Sequence, residues 1–162
     1  MRNEVTGIRS LILKLLGTGA YENAGPEAAA MGLNHVLFVT SGLSGTGIID
    51  ECKTNFEKAG VSVTVYDKVE SNPKDYNVMA AYKAFSDGEC DGLVSIGGGY
   101  SHDTTKGARI VAAHEGRNVN EFQALNTSET LDNPAHLCNR VEVVRSVDQL
   151  ADVAEELVRS RF

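Results

Sequence analysis

"LVSIGGGYSHDTTKGARIVAAHEG", residues 93–116, decides the fold of this chain. An apolar run stops at Gly97, Gly98 and Gly99, and a helical pattern begins a few residues later. A strand that turns sharply into a helix needs backbone angles that only glycine reaches easily. Absent side chains also let a bulky ligand approach the main chain. The helix that follows points unpaired N–H groups and the positive end of its dipole at that ligand. Strand, glycine triplet, helix is therefore a place for a phosphate. A tight turn without a ligand competes with that explanation, and the triplet alone does not choose between them.

The residues just after the triplet sharpen the question. The helix is expected to run over 103–116, with Asp103 in its first turn and Gly116 at its end. A carboxylate there suits the dipole but repels a phosphate; it sits better against ribose hydroxyls or a carboxamide. Lys106 adds a positive charge. As purely structural roles, Ser101 or Asp103 would cap the helix, and Lys106 would be a solvated surface residue.

Outward from this stretch, strands and helices alternate. "HVLFVT" (35–40) is a buried strand and "GIIDECKTNFEKAG" (47–60) a helix closed by Gly60. "VSVTVYD" (61–67) alternates as a second strand. A helix follows over 71–90, opening at Pro73, with Val78, Ala81, Tyr82 and Phe85 inward. "DGLVSIGGG" (91–99) is the third strand. "HLCNRVEVV" (136–144) reads as a fourth strand, and 146–161 as a helix with Ser146 and Gln149 as its capping box. The first 17 residues read as a strand or helix of the same domain rather than a signal peptide. This rhythm predicts one α/β domain over 1–162: a Rossmann-like, mostly parallel sheet with helices on both faces. Such sheets bind ligands beyond the carboxyl ends of their strands.

The bulk numbers agree with one globular domain. The chain has 162 residues, 42% hydrophobic and 23% charged. Net charge is −7, from 15 basic and 22 acidic residues, with no basic cluster, so nucleic acid is not an expected partner. No apolar run approaches a membrane span. Cys52, Cys90 and Cys138 lie far apart without a CxxC, which fits small buried apolar roles and a reducing cytoplasm.

The combination "FVTSGLSGTGIIDECKTNFEKAGVSVTVYDKVESNPKDYNV" with "CDGLVSIGGGYSHDTTKGARIVAAHEGRNVNEF" resembles the amino-terminal half of the iron-containing (group III) alcohol dehydrogenases. "DKVESNPKDYNVM" and "KGARIVAAHEGRNVNEF" look closest to the methanol dehydrogenase branch, including its nicotinoprotein type. The resemblance runs from about 17 to 137; residues 138–162, expected as a strand plus helix, are atypical.

The resemblance implies a domain that binds NAD or NADP. Its GGG-S-x-x-D turn maps onto Gly97, Gly98, Gly99, Ser101, His102 and Asp103, on the pyrophosphate and nicotinamide side. Asn72 and Pro73 match the Asn-Pro turn near the adenosine, and Lys106 matches a helix lysine. Tyr100 replaces a common serine, where it would crowd the pyrophosphate or stack nearby. Ser41 stands where many members carry an acidic residue on the adenine ribose, which makes NADP acceptable; an ordinary turn serine is the alternative.

Other departures bear on chemistry. "CNRVEVVRSVDQ" replaces the family's threonine-rich segment beside the nicotinamide. The helical half that carries the Fe or Zn ligands has no counterpart in these residues. His35, His114 and His136 read as structural or solvated, and only His102 lies in the candidate site. No catalytic residues are assigned and neither Fe nor Zn is expected in this chain. The expectation is an NAD(P)-binding domain, short of metal-dependent alcohol oxidation by itself. The alternative is a non-catalytic partner of a full-length dehydrogenase oligomer, by association with a homologue or with itself. A third is an enzyme with a new site built between subunits.

Overall fold

His35–Thr40 is a run of bulky apolar residues ending in threonine; it forms β1, buried from Val36 onward. A computed structural model of the chain describes Leu15, residues 19–122 and the strand residues 140–143, and the architecture below is that of these residues. β1 lies inside a parallel sheet with β2 (Ser62–Tyr66), β3 (Gly92–Ile96) and β4 (Arg140–Val143), in the order β2-β1-β3-β4. The register pairs Val39 with Tyr66 on one side and with Ser95 on the other.

Four α-helices pack on the sheet. They are α1 (Ala24–Ala30), α2 (Ile48–Lys58), α3 (Asp75–Asp87) and α4 (Gly99–Ala113). Alternation along each strand splits the core into two layers. Val36, Phe38, Val94 and Ile96 meet Ala28 of α1 and Ile49, Cys52 and Phe56 of α2. Leu37, Val39 and Leu93 meet Ala81 of α3 and Ala108 of α4 on the opposite face. Phe38 and Phe56 make an edge-on ring contact at 4.9 Å, an arrangement that adds about 0.5–1.5 kcal/mol beyond simple burial. On the second face α4 approaches α3 so closely that a β-carbon on Gly107 would stand 2.8 Å from both methyls of Val78.

The expected Rossmann-like α/β fold, parallel and covered on both faces, is the fold observed. Differences are local. α1 was not legible: its sequence, AGPEAAA, lacks an apolar stripe, and its place depends on Asn55 of α2. Asn55 accepts a hydrogen bond from the Gly25 amide at 2.8 Å and donates one to the Glu22 carbonyl at 2.7 Å. α4 begins at Gly99 rather than at Asp103, because the turn is completed by Gly97 alone and Gly98 already caps the helix. Cys52 and Cys90 are buried free thiols as expected. The expected helix over 146–161, the amino-terminal segment and Cys138 lie outside the described residues.

The order of the strands fixes where a ligand can sit. The chain moves from β1 outward to β2, then returns across β1 to β3, so α2 and α3 cover opposite faces. Neighbouring connections diverge at the carboxyl ends of β1 and β3 and leave a crevice there.

Candidate functional site

Three loops meet at that crevice: residues 41–47 after β1, 67–74 after β2 and 97–98 after β3. Gly97 takes φ +127°, a conformation that L side chains rarely adopt. Gly98, at φ −92° and ψ −166°, is extended and caps α4 without any side-chain bond. Of the triplet, then, the conformation reserved for glycine falls on Gly97 and not on Gly98. Gly99 has open space where its β-carbon would be.

The early start of α4 changes the roles of the residues that follow. Ser101 lies in the first turn and is fully buried, and its hydroxyl has no hydrogen-bond partner. Neither it nor Asp103 caps the helix. The first turn holds no acidic residue, so Asp103 does not oppose an anion at the helix end; it sits in the second turn. There it pairs with Lys106 at 3.4 Å on the exposed surface. The His102 ring lies half-buried, with Nδ1 2.5 Å from the Ser95 hydroxyl at the end of β3. Tyr100 is exposed.

The β1 exit closes against both neighbours. Ser41 donates from Oγ to the Val69 carbonyl at 3.1 Å, and Ser44 donates to the Asp67 carboxylate at 2.9 Å. The Ser41 carbonyl lies 3.7 Å from the β-carbon position of Gly97. Ser41, Gly97 and Ser101 are thus brought together. Asn72 is exposed at φ 54°, in the turn ahead of α3, where the Lys74 amide donates to the buried Asn77 side chain at 2.9 Å. No side-chain hydrogen bond or ion pair joins Asn72, Asp103 or Lys106 to the glycine turn among the described residues. Thr40 and Thr104 are two more fully buried hydroxyls without partners.

Ser44, Asp67, Ser95, Thr40 and Thr104 were not singled out in the sequence. Only Asp67 had a usable signal, a carboxylate just past the end of an expected strand. His35 and His114 take the structural roles expected, against Thr64 Oγ1 at 2.9 Å and the Ile110 carbonyl at 2.8 Å.

Two helix ends face the crevice, and charge separates them. α2 carries Asp50 and Glu51 in its first turn, which already occupy the favourable field of its dipole. α4 has no such acid, so its first amides remain available. A buried hydroxyl left unpaired costs about 1–3 kcal/mol. Beside a glycine turn at a bare helix end, Ser101 is placed to recover that cost by donating to an anion. The residues present fit a phosphate group on these grounds. Among the described residues, no group of three or more His, Cys, Asp and Glu side chains is placed to hold a metal. None of their helices is long and apolar enough to cross a membrane.

An open, doubly wound sheet with an anion-receptive turn at its switch point is a Rossmann-like fold. The profile of the iron-containing alcohol dehydrogenases matches residues 14–143. Methanol:N,N-dimethyl-4-nitrosoaniline oxidoreductase of Amycolatopsis methanolica is 54% identical over 123 residues, covering 76% of this chain and 29% of that protein. NAD-dependent methanol dehydrogenase of Bacillus methanolicus is 38% identical over 116 residues, covering 71% of this chain and 30% of that protein. A crystal structure of 1,3-propanediol oxidoreductase, 36% identical, superposes with a TM-score of 0.67 over 76% of this chain and 31% of that one. Sulfoacetaldehyde reductase from Bifidobacterium kashiwanohense, solved in complex with NAD+, shares the fold at a TM-score of 0.67 and 20% identity, covering 78% of this chain and 32% of that one. This chain belongs to the iron-containing alcohol dehydrogenase family. It spans about 29% of the length of the methanol oxidoreductases it matches.

Proposed function

We propose that this chain binds NAD(P), with the pyrophosphate over the first turn of α4 and the adenosine toward the exits of β1 and β2. The observation that carries the reading is Ser101: a fully buried, unpartnered hydroxyl at a helix end with no acidic residue in its first turn. Gly97 supplies the turn, Gly99 leaves the main chain open, and the amides of the first turn face the phosphates. Ser41 holds the β2 exit in place through Val69, while Asn72 lies on the adenosine side. Ser95 orients His102 beside the site. Asp103 and Lys106, paired on the outer face, shape the surround rather than the phosphate seat.

A bound nicotinamide supplies the hydride chemistry, and the protein contributes position and polarity. By the family relationship the bound dinucleotide serves an alcohol dehydrogenase of the methanol-oxidising type. The metal that polarises the alcohol in such a reaction would need ligands beyond the residues described. By itself the chain then binds cofactor without efficient alcohol oxidation.

Titration with NADH and NADPH, followed by nucleotide fluorescence, tests the reading. Saturable binding below millimolar concentration, lost in Gly98→Val, is expected. No binding of either nucleotide at millimolar concentration would overturn it and leave association with a full-length homologue as the better explanation.

A further inference from the structure

β2 (Ser62–Tyr66) ends the strand order, and its outer edge pairs with no strand among the described residues. The Ser62 amide donates to the Asn34 carbonyl at 2.8 Å, on the β1 side. Backbone groups alternate sides along a strand. Ser62, Thr64 and Tyr66 therefore bond to β1, while the N–H and C=O groups of Val63 and Val65 point outward. Sheet edges are commonly guarded by a charge, a proline or a bulge. Ser-Val-Thr-Val-Tyr carries neither charge nor proline, and its register with β1 is unbroken. The Val65 side chain is 40% exposed. An open groove of about 380 Å³ lies along the amino half of the strand, lined by Glu57, Gly60, Val61, Ser62 and Val63.

We infer that this edge is an interface for a second copy of the chain, the two β2 strands pairing antiparallel about a two-fold axis through Thr64. Val63-Thr64-Val65 reads the same in both directions. Val63 then faces the partner's Val65, and Val65 the partner's Val63. Each pair exchanges N–H···O=C bonds in both directions, as an antiparallel ladder requires. Thr64 meets the partner's Thr64 between them, a favourable cross-strand pair. Charge fits the same register, which sets Gly60 opposite the partner's Lys68. Glu57 lines the groove beside Gly60, with Lys53 3.7 Å away. Lys68 is exposed and forms no ion pair among the described residues. Each end of the paired strands thus sets an acid near a base, and the strands themselves carry no charge to repel. These features together fit a copy of the same strand better than an unrelated one. The glycine turn follows β3, on the far side of β1, so the pairing leaves it open.

Sedimentation equilibrium of the full chain across the micromolar range tests the inference. The wild-type mass should rise from one chain to two. Val65→Lys puts a charge on the edge at an exposed position; it should stay folded by circular dichroism and monomeric over the same range. Lys68→Glu should weaken dimerisation about tenfold, since an exposed pair contributes up to about 1 kcal/mol and the two-fold axis repeats it. Adding Glu57→Lys should restore most of that loss. A wild-type chain that stays monomeric throughout would overturn the inference and leave the edge to a foreign strand. A dimer that Val65→Lys leaves intact would also overturn it. So would a loss in Lys68→Glu that Glu57→Lys fails to restore, because the two-fold register requires the two to meet.

Discussion

The Ser101 hydroxyl lies 3.0 Å from the point where a β-carbon on Gly97 would stand. Glycine is thus required at this turn twice over, by its φ of +127° and by the serine packed against it. The same contact directs a buried, unpartnered donor into the turn.

Removing that donor should separate stability from binding. Ser101→Ala deletes an unsatisfied buried group, so the melting temperature of the ligand-free protein should hold or rise. Affinity for NADH should fall about tenfold or more, since a hydrogen bond to a charged group contributes about 1.5–3 kcal/mol. Thermal melts with and without NADH, together with titration, measure both effects. A large loss of ligand-free stability would contradict the assignment.

Gly98 and Gly97 should respond differently to substitution. Gly98→Val places a branched side chain on an extended backbone that valine adopts readily, so the fold should survive while nucleotide binding is lost. Gly97→Ala meets both a positive φ and the Ser101 hydroxyl and should destabilise the protein by about 1–3 kcal/mol. Circular dichroism melts set beside NADH titrations distinguish the two. Equal loss of stability in both variants would run against this geometry.

The approach of α4 to α3 makes another prediction. Alanine is a better helix former than glycine by about 0.8–1 kcal/mol. At Gly107, however, its methyl would meet Val78 at 2.8 Å, and overpacking costs about 1–3 kcal/mol. Gly107→Ala should therefore destabilise wild type by roughly 1 kcal/mol. In a Val78→Ala background the same change should stabilise instead. Urea unfolding of the four proteins in the double-mutant cycle gives the sign directly.

Acid stability should depend on Asp91, which links β1 and β3 at their amino ends. Its carboxylate accepts from the Asn34 amide at 2.8 Å, the His35 amide at 3.0 Å and the Asn34 side chain at 3.1 Å. Burial pushes its pKa up, but these hydrogen bonds outweigh burial and hold it below the ordinary value. A lowered folded pKa contributes stability that is complete above the unfolded value, about 3.9, and is lost as pH falls through the folded one. Asp91→Asn should melt below wild type at neutral pH, with the gap closing below about pH 4. A gap that stays constant into strong acid would show that the charge is not responsible.

Much of this protein was legible in one dimension. Strands at 35–40, 62–66 and 92–96 are short runs rich in β-branched and apolar residues, and the glycines that follow β1 and β3 mark the candidate binding edge. Those signals are local, because side-chain shape and backbone freedom act within a few residues. The glycine triplet likewise marked the turn, and Gly97, Ser101 and Ser41 do meet there.

What only the tertiary structure decided depends on partners distant in the chain. α1 owes its position to Asn55, 30 residues from Gly25. Ser41 is engaged by Val69 and Asp67 by Ser44, contacts brought about by the pairing of β2 with β1. Asp103 left the first turn because Gly98, not Ser101 or Asp103, begins the helix. Residue type limits what a side chain can do; which hydroxyl is used up, which stays unpaired and which carboxylate is engaged follow from packing between segments far apart in sequence.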